Sequence, residues 1–219
     1  MKKLSALALC AITLLAASCE TQETQKPRDP AAPEASKISS ITGNNWPVWG
    51  RDASRNMVSD EKGAPAEWDI GEMDENEVVD IKTTKNLQWV AKVGSQSYGN
   101  VTVAGGKVFV GTNNESPRDL EKKGDRGIVY CFDEKTGNYQ WQLVVPKLGA
   151  GKVSDWEYIG ICSSPAVVGN RVYVVTNRCE TVCLDIEGMK NGNDGPFKDE
   201  AKFMTEKGKP APKVKDTDA

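Results

Sequence analysis

One hairpin is written into this chain twice. Residues 101–113 read VTVAGGKVFVGTN, and residues 165–177 read PAVVGNRVYVVTN. Each is a pair of short apolar, β-branched runs around a two-residue turn, Gly105-Gly106 in the first and Gly169-Asn170 in the second. Those residue types tolerate the positive φ that such turns need. Gly169 follows Gly105 by 64 residues (169 − 105), a long period because two loops carry inserts, Asn113 to Arg126 and Pro146 to Tyr158. Recurrence on this scale marks an array of repeated units. From Asn86 onward helical periodicity is absent, so the chain predicts an all-β meander of antiparallel strands.

Each hairpin is followed by a third strand of similar form, GIVYCFDEKTG in the first repeat and ETVCLDIEG in the second. In the first repeat YQWQLVV supplies a fourth strand, so the unit is a four-stranded antiparallel sheet. The turn before that strand has a mechanical logic. Asp133 can accept backbone N–H bonds across it, and Gly137 can take the left-handed conformation that a β-carbon resists. A few residues later Trp141 offers a large apolar surface with one N–H to satisfy.

The run from Cys131 to Trp141 resembles the tryptophan-docking motif of the quinoprotein propellers, Ala-x-Asp-x-x-Thr-Gly-x-x-x-Trp, with Cys131 in place of Ala. The resemblance implies a β-propeller of PQQ-like (pyrroloquinoline quinone) repeats, with Asp133, Thr136, Gly137 and Trp141 as structural residues and Trp141 lying flat between blades. Trp89, in NLQWVAKVG, is the counterpart of Trp141 on the outer strand of another blade. WPVWGRDASRN, Trp46 to Asn56, is similar to the opening segment of such propellers, whose N-terminal strand completes the last blade. The second repeat departs from the pattern: after Asp185 come Ile186, Glu187 and Gly188, with no Thr-Gly pair and no Trp downstream. Residues 190–219 are rich in Lys, Gly, Pro and Asp and read as a charged loop or frayed tail. Propellers of this family have about seven or eight four-stranded blades. Residues 44–189 supply about two, so the sequence is expected to be the front part of a longer, partial propeller.

Lys2 and Lys3 precede an apolar run from Leu4 to Ala17 broken only by Ser5 and Thr13. This is a secretory signal over 1–18, too short to span a bilayer as a mature helix. Leu15 to Cys19 resembles a bacterial lipobox, which implies a lipid on Cys19 and a membrane anchor; ordinary cleavage after Ala16-Ala17-Ser18 would instead leave a free thiol. Residues 19–43 have almost nothing to bury and read as a disordered tether. Net charge is −3, with 28 basic and 31 acidic residues interspersed, so no basic face recommends nucleic acid as a partner. The chain has no histidine, which removes Ser-His triads, His-ligated zinc and c-type haem attachment from its chemistry.

Cys131 and Cys183 hold the same repeat position and read as small buried side chains. Cys162 and Cys179 fall near one end of the second hairpin, where an oxidising compartment permits a disulfide; separate thiols are the alternative. Quinoprotein dehydrogenases of the resembled superfamily hold quinone and calcium with a Glu, an Asn, a catalytic Asp and a stacking Trp. Trp156 and Glu157 are nearest in type to the ring and the metal carboxylate, but they read first as part of a blade-connecting loop. No catalytic residue and no metal site can be placed. The seven carboxylates from Glu67 to Asp80 lack the alternating ligands and fixed Gly of a calcium loop. The leading reading is an exported, lipid-anchored propeller facing the periplasm or cell surface that binds protein or polymer partners through its loops, with no cofactor on this chain. The alternative is a periplasmic quinone-dependent dehydrogenase of alcohols or sugars, with PQQ and calcium held by the full-length protein.

Overall fold

A computed structural model describes residues 45–149 and 156–219; the leader, Cys19 and the tether lie outside the described residues. The fold is nearly all-β. β1 (Thr102–Ala104), β2 (Lys107–Asn113), β3 (Arg126–Asp133) and β4 (Tyr139–Pro146) form one antiparallel sheet in the order β1-β2-β3-β4. β5 (Ala166–Val168), β6 (Arg171–Val175) and β7 (Thr181–Asp185) form a second in the order β5-β6-β7. Gly105 and Gly106 turn the first hairpin at φ 61° and 74°, and Gly169 opens the second at φ 60°. Both sheets keep one pattern of turn contacts: Glu134 N–H donates to Gly106 O, and Ile186 N–H donates to Asn170 O, each at 2.9 Å.

The first sheet is apolar on both faces, which is unusual for antiparallel strands, because such sheets commonly leave one face to water. Period-two alternation sends Phe109, Val129, Cys131, Trp141, Leu143 and Val145 to one side. It sends Val110, Ile128, Tyr130, Phe132 and Val144 to the other. The first face packs on Val167, Val172 and Val174 of the second sheet, and the other receives Trp89, Ala91 and Val93. A sheet covered on both faces by its neighbours is a propeller blade in its stack. Each large apolar side chain buried this way contributes about 1.5–3 kcal/mol.

Two elements differ from the sequence reading, and the structure places two more. The Trp89 segment packs where an outer strand would, yet no regular strand forms between residues 86 and 101. The opening segment lies along the edges of β1 and β5. Trp46 pairs with Val103, exchanging N–H···O bonds of 2.7 and 3.0 Å, and Pro47 O accepts from Val167 N–H at 2.8 Å. It thereby satisfies backbone groups on the open edges of β1 and β5, which would otherwise need water or another strand. The acidic stretch keeps its carboxylates in solvent and takes small turns, Asp69 bridging to Lys85 and Met73 to Val79. Finally, the end of the 190–219 segment is not frayed: after a short helix α1 (Glu200–Phe203), Asp218 comes to rest fully buried.

Candidate functional site

The docking motif works across two interfaces. Asp133 Oδ1 accepts from Lys135 N–H at 3.1 Å and from the Thr136 amide and hydroxyl, both at 2.8 Å. These bonds, the Thr136 hydroxyl first, hold the Asp133 carboxyl below its ordinary range. Gly137 closes the turn at φ 71°, its N–H donating to Asp133 O at 2.9 Å. A β-carbon there would sit 2.5 Å from the ring of Trp89, and Trp89 Nε1–H donates to Glu134 O at 2.8 Å. The Asp133 turn is therefore the seat for the preceding tryptophan.

Trp141 goes forward to the next turn. It is fully buried, and its Nε1–H donates to Ile186 O at 3.0 Å. There Glu187 N–H donates to Asp185 Oδ1 at 2.7 Å, and Gly188, at φ 62°, would place a β-carbon 2.7 Å from the Trp141 ring. Gly188 thus does for Trp141 what Gly137 does for Trp89, in a turn one residue shorter that has dropped the threonine. The sequence signal was the Asp185-to-Gly188 spacing, hidden by the shortening.

The cysteines separate by face. Cys131 is fully buried, and burial pushes its thiol up to about 12. Cys183 is exposed, with its Sγ 3.9 Å from Arg171 Nη1; it lies on the face of the second sheet turned away from the first blade, which corrects the reading of a second buried thiol. In this structure Cys162 and Cys179 are separate free thiols. Cys162 precedes β5 in a connector held by Ser163 Oγ, which bonds Val175 O and N–H at 2.7 and 3.1 Å. Cys179 sits at φ 60° within the turn from Thr176 to Glu180, whose backbone bonds fix it there.

A β2–β3 loop and a connector from an outer strand to the next inner strand leave the blade at the same end, so both inserts share one face. Asp125 clasps them together. Its Oδ2 accepts from Tyr158 N–H at 2.9 Å and stands 3.6 Å from Lys147 Nζ, and Lys147 Nζ donates to Trp156 O at 2.6 Å. Asn113, at the end of β2, gathers three segments: Oδ1 accepts from Ser95 and Glu115 N–H, both at 3.1 Å, and Nδ2 donates to Tyr158 O at 2.6 Å. The β2–β3 insert is pinned by Arg118, whose guanidinium lies 5.1 Å from the ring centres of Tyr130 and Tyr139 and 5.3 Å from that of Phe132. Arg118 Nη2 also donates to Lys92 O at 2.6 Å. On this fastened face Tyr98, Leu120 and Trp156 are exposed at 62%, 67% and 67%.

Trp156 and Glu157 both lie in solvent on the connector. Among the described residues no group of three or more Cys, Asp and Glu is placed to hold a metal ion, and no helix is long and apolar enough to cross a membrane.

Residues 70–186 match the family model described as outer membrane protein assembly factor BamB. The match takes in just over half of the chain, both sheets included, and leaves the Trp46 segment outside it. No curated protein matches the chain.

Proposed function

Because the chain belongs to the PQQ-like repeat family of outer membrane protein assembly factor BamB, we propose that it is a binding or scaffold module of the bacterial envelope that engages a protein partner through the loop face of its blades. The observation that carries this is the clasp at Asp125: two inserts in successive loops meet on one face, are tied together, and leave Leu120 and Trp156 in solvent, with Tyr98 exposed on the segment bonded to the end of β2. Interfaces concentrate their energy in a few aromatic and large apolar anchors presented without ordering cost. Tyr98, Leu120 and Trp156 have that character.

The same reading gives the front of the chain its role. Residues 1–18 direct export, Cys19 takes the lipid, residues 19–43 are the tether, and residues 44–189 are the blades held out from the membrane. Export and anchoring rest on the sequence of the leader, and the family supports an envelope location. A photo-crosslinking residue at position 156, with position 62 as an exposed control, tests the binding reading in cells. Adducts to one envelope protein from 156 and none from 62 are expected; equal or absent adducts at both positions would reject it.

A further inference from the structure

The last residues of the chain close on the rim of the first blade. β4 is the outermost strand of its sheet, and its free edge is taken by residues 217–219 in a parallel bridge between Gln142 and Asp218. Gln142 N–H donates to Thr217 O at 3.0 Å, and Ala219 N–H donates to Gln142 O at 3.1 Å. Charge fixes the register. Asp218 is fully buried, with Oδ1 2.5 Å from Lys122 Nζ, and Lys122 is itself only 7% exposed. The other Asp218 oxygen accepts from Lys215 N–H at 2.9 Å, and Lys215 Nζ reaches both oxygens of Asp119 at 2.9 Å. Met189 N–H donates to Asp218 O at 2.8 Å, so the segment is wedged between the rim of one blade and the turn of the next.

Two requirements define what fits there. An unpaired strand edge accepts an extended backbone, and the buried Lys122, whose Nζ stands 3.6 Å from Asp119 and 2.5 Å from Asp218, takes its close carboxylate partner from that segment, since a poorly compensated buried charge is penalised. We propose that the β4 edge and Lys122 form a strand-addition site for an extended, carboxylate-bearing segment, that residues 215–219 are its ligand in cis, and that it takes the same segment from another chain. The site stands whether or not the loop face binds a protein.

A dye-labelled peptide of residues 213–219 is titrated against the 219-residue chain. In the wild type the tethered segment competes at an effective concentration on the order of millimolar. Asp218→Lys weakens the cis ligand, so saturable peptide binding should tighten by about tenfold or more as the free edge becomes populated. Adding Lys122→Met to that variant should weaken the peptide by about tenfold or more, the effect of deleting one partner of a buried charge pair. Peptide binding to a folded Asp218→Lys chain no tighter than to wild type, or indifferent to Lys122→Met, overturns the proposal. If Asp218→Lys does not fold, hydrogen exchange of the wild type decides. Gln142 and Ala219 amides exchanging slowly and at one common rate, faster than the β3 amides, show a ligand that leaves as a unit. Exchange at the unprotected rate, or only with global unfolding, overturns it.

Discussion

The indole N–H of Trp141 donates to the carbonyl of Ile186, 45 residues further along the chain. Trp89 makes the same bond to Glu134 over the same separation. One contact is thus made twice, each time from the outer part of one blade to the β3–β4-type turn of the next. Trp141→Ala empties a fully buried site and should cost about 3–5 kcal/mol. Chemical denaturation followed by circular dichroism measures it; a loss under about 1 kcal/mol would show that the ring contributes no packing.

Gly188 and Gly208 separate contact from backbone strain. Both have positive φ, 62° and 80°, but a β-carbon at Gly188 meets the Trp141 ring at 2.7 Å while one at Gly208 meets nothing within 4 Å. Gly208→Ala should cost about 1 kcal/mol, the strain alone. Gly188→Ala should cost at least about 2 kcal/mol more, because the indole must leave its seat. Equal losses from the two substitutions would mean that Gly188 does not seat Trp141.

The buried thiol of Cys131 ties stability to alkaline pH. Its pKa rises from 9.0 to about 12 on folding, so the folded chain keeps a proton that the unfolded chain releases. The corresponding stability is fully present below about pH 9 and is lost as pH climbs towards about 12, at up to about 1.4 kcal/mol per pH unit. Unfolding free energies of wild type and Cys131→Ala from pH 8 to 11 should converge as pH rises; parallel curves would contradict the burial. Peptide-resolved thiol labelling at pH 8 should modify Cys162, Cys179 and Cys183 well before Cys131.

Much of the blade was legible in the sequence, because alternation, hairpin turns and the Asp133-to-Trp141 run are local. The second docking turn was not, since losing one residue between Asp185 and Gly188 erases the motif while keeping its geometry. Nor was the fate of the 190–219 segment. Asp218 and Lys122 are 96 residues apart, and no period in the sequence marks a pair made by chain reversal. Nor was the pairing of Trp46 with Val103 legible, because it is made by the backbone, which any residue could supply. Of the loop face, the two inserts could be read from their lengths, but the clasp through Asp125 could not.

Quinone chemistry gives a further expectation. Trp156 is two-thirds exposed, and a stacked quinone would require it enclosed. Titration with pyrroloquinoline quinone, with and without calcium, should leave no quinone absorbance with the chain after desalting. Stoichiometric retention with dye reduction by simple alcohols would favour the dehydrogenase reading over the binding module.

Binding through the loop face is tested most directly by removing its three exposed anchors together. Tyr98→Ala, Leu120→Ala and Trp156→Ala change side chains that are more than half in solvent, so thermal stability should stay near that of the wild type. With the photo-crosslinking residue placed beside them at position 157, the yield of the adduct is compared between the triple variant and the wild type in the same cells. Loss of about tenfold or more is expected, since anchors of this kind each carry about 1 kcal/mol or more of binding. An undiminished adduct from a stable triple variant would contradict the assignment of the loop face as the binding surface.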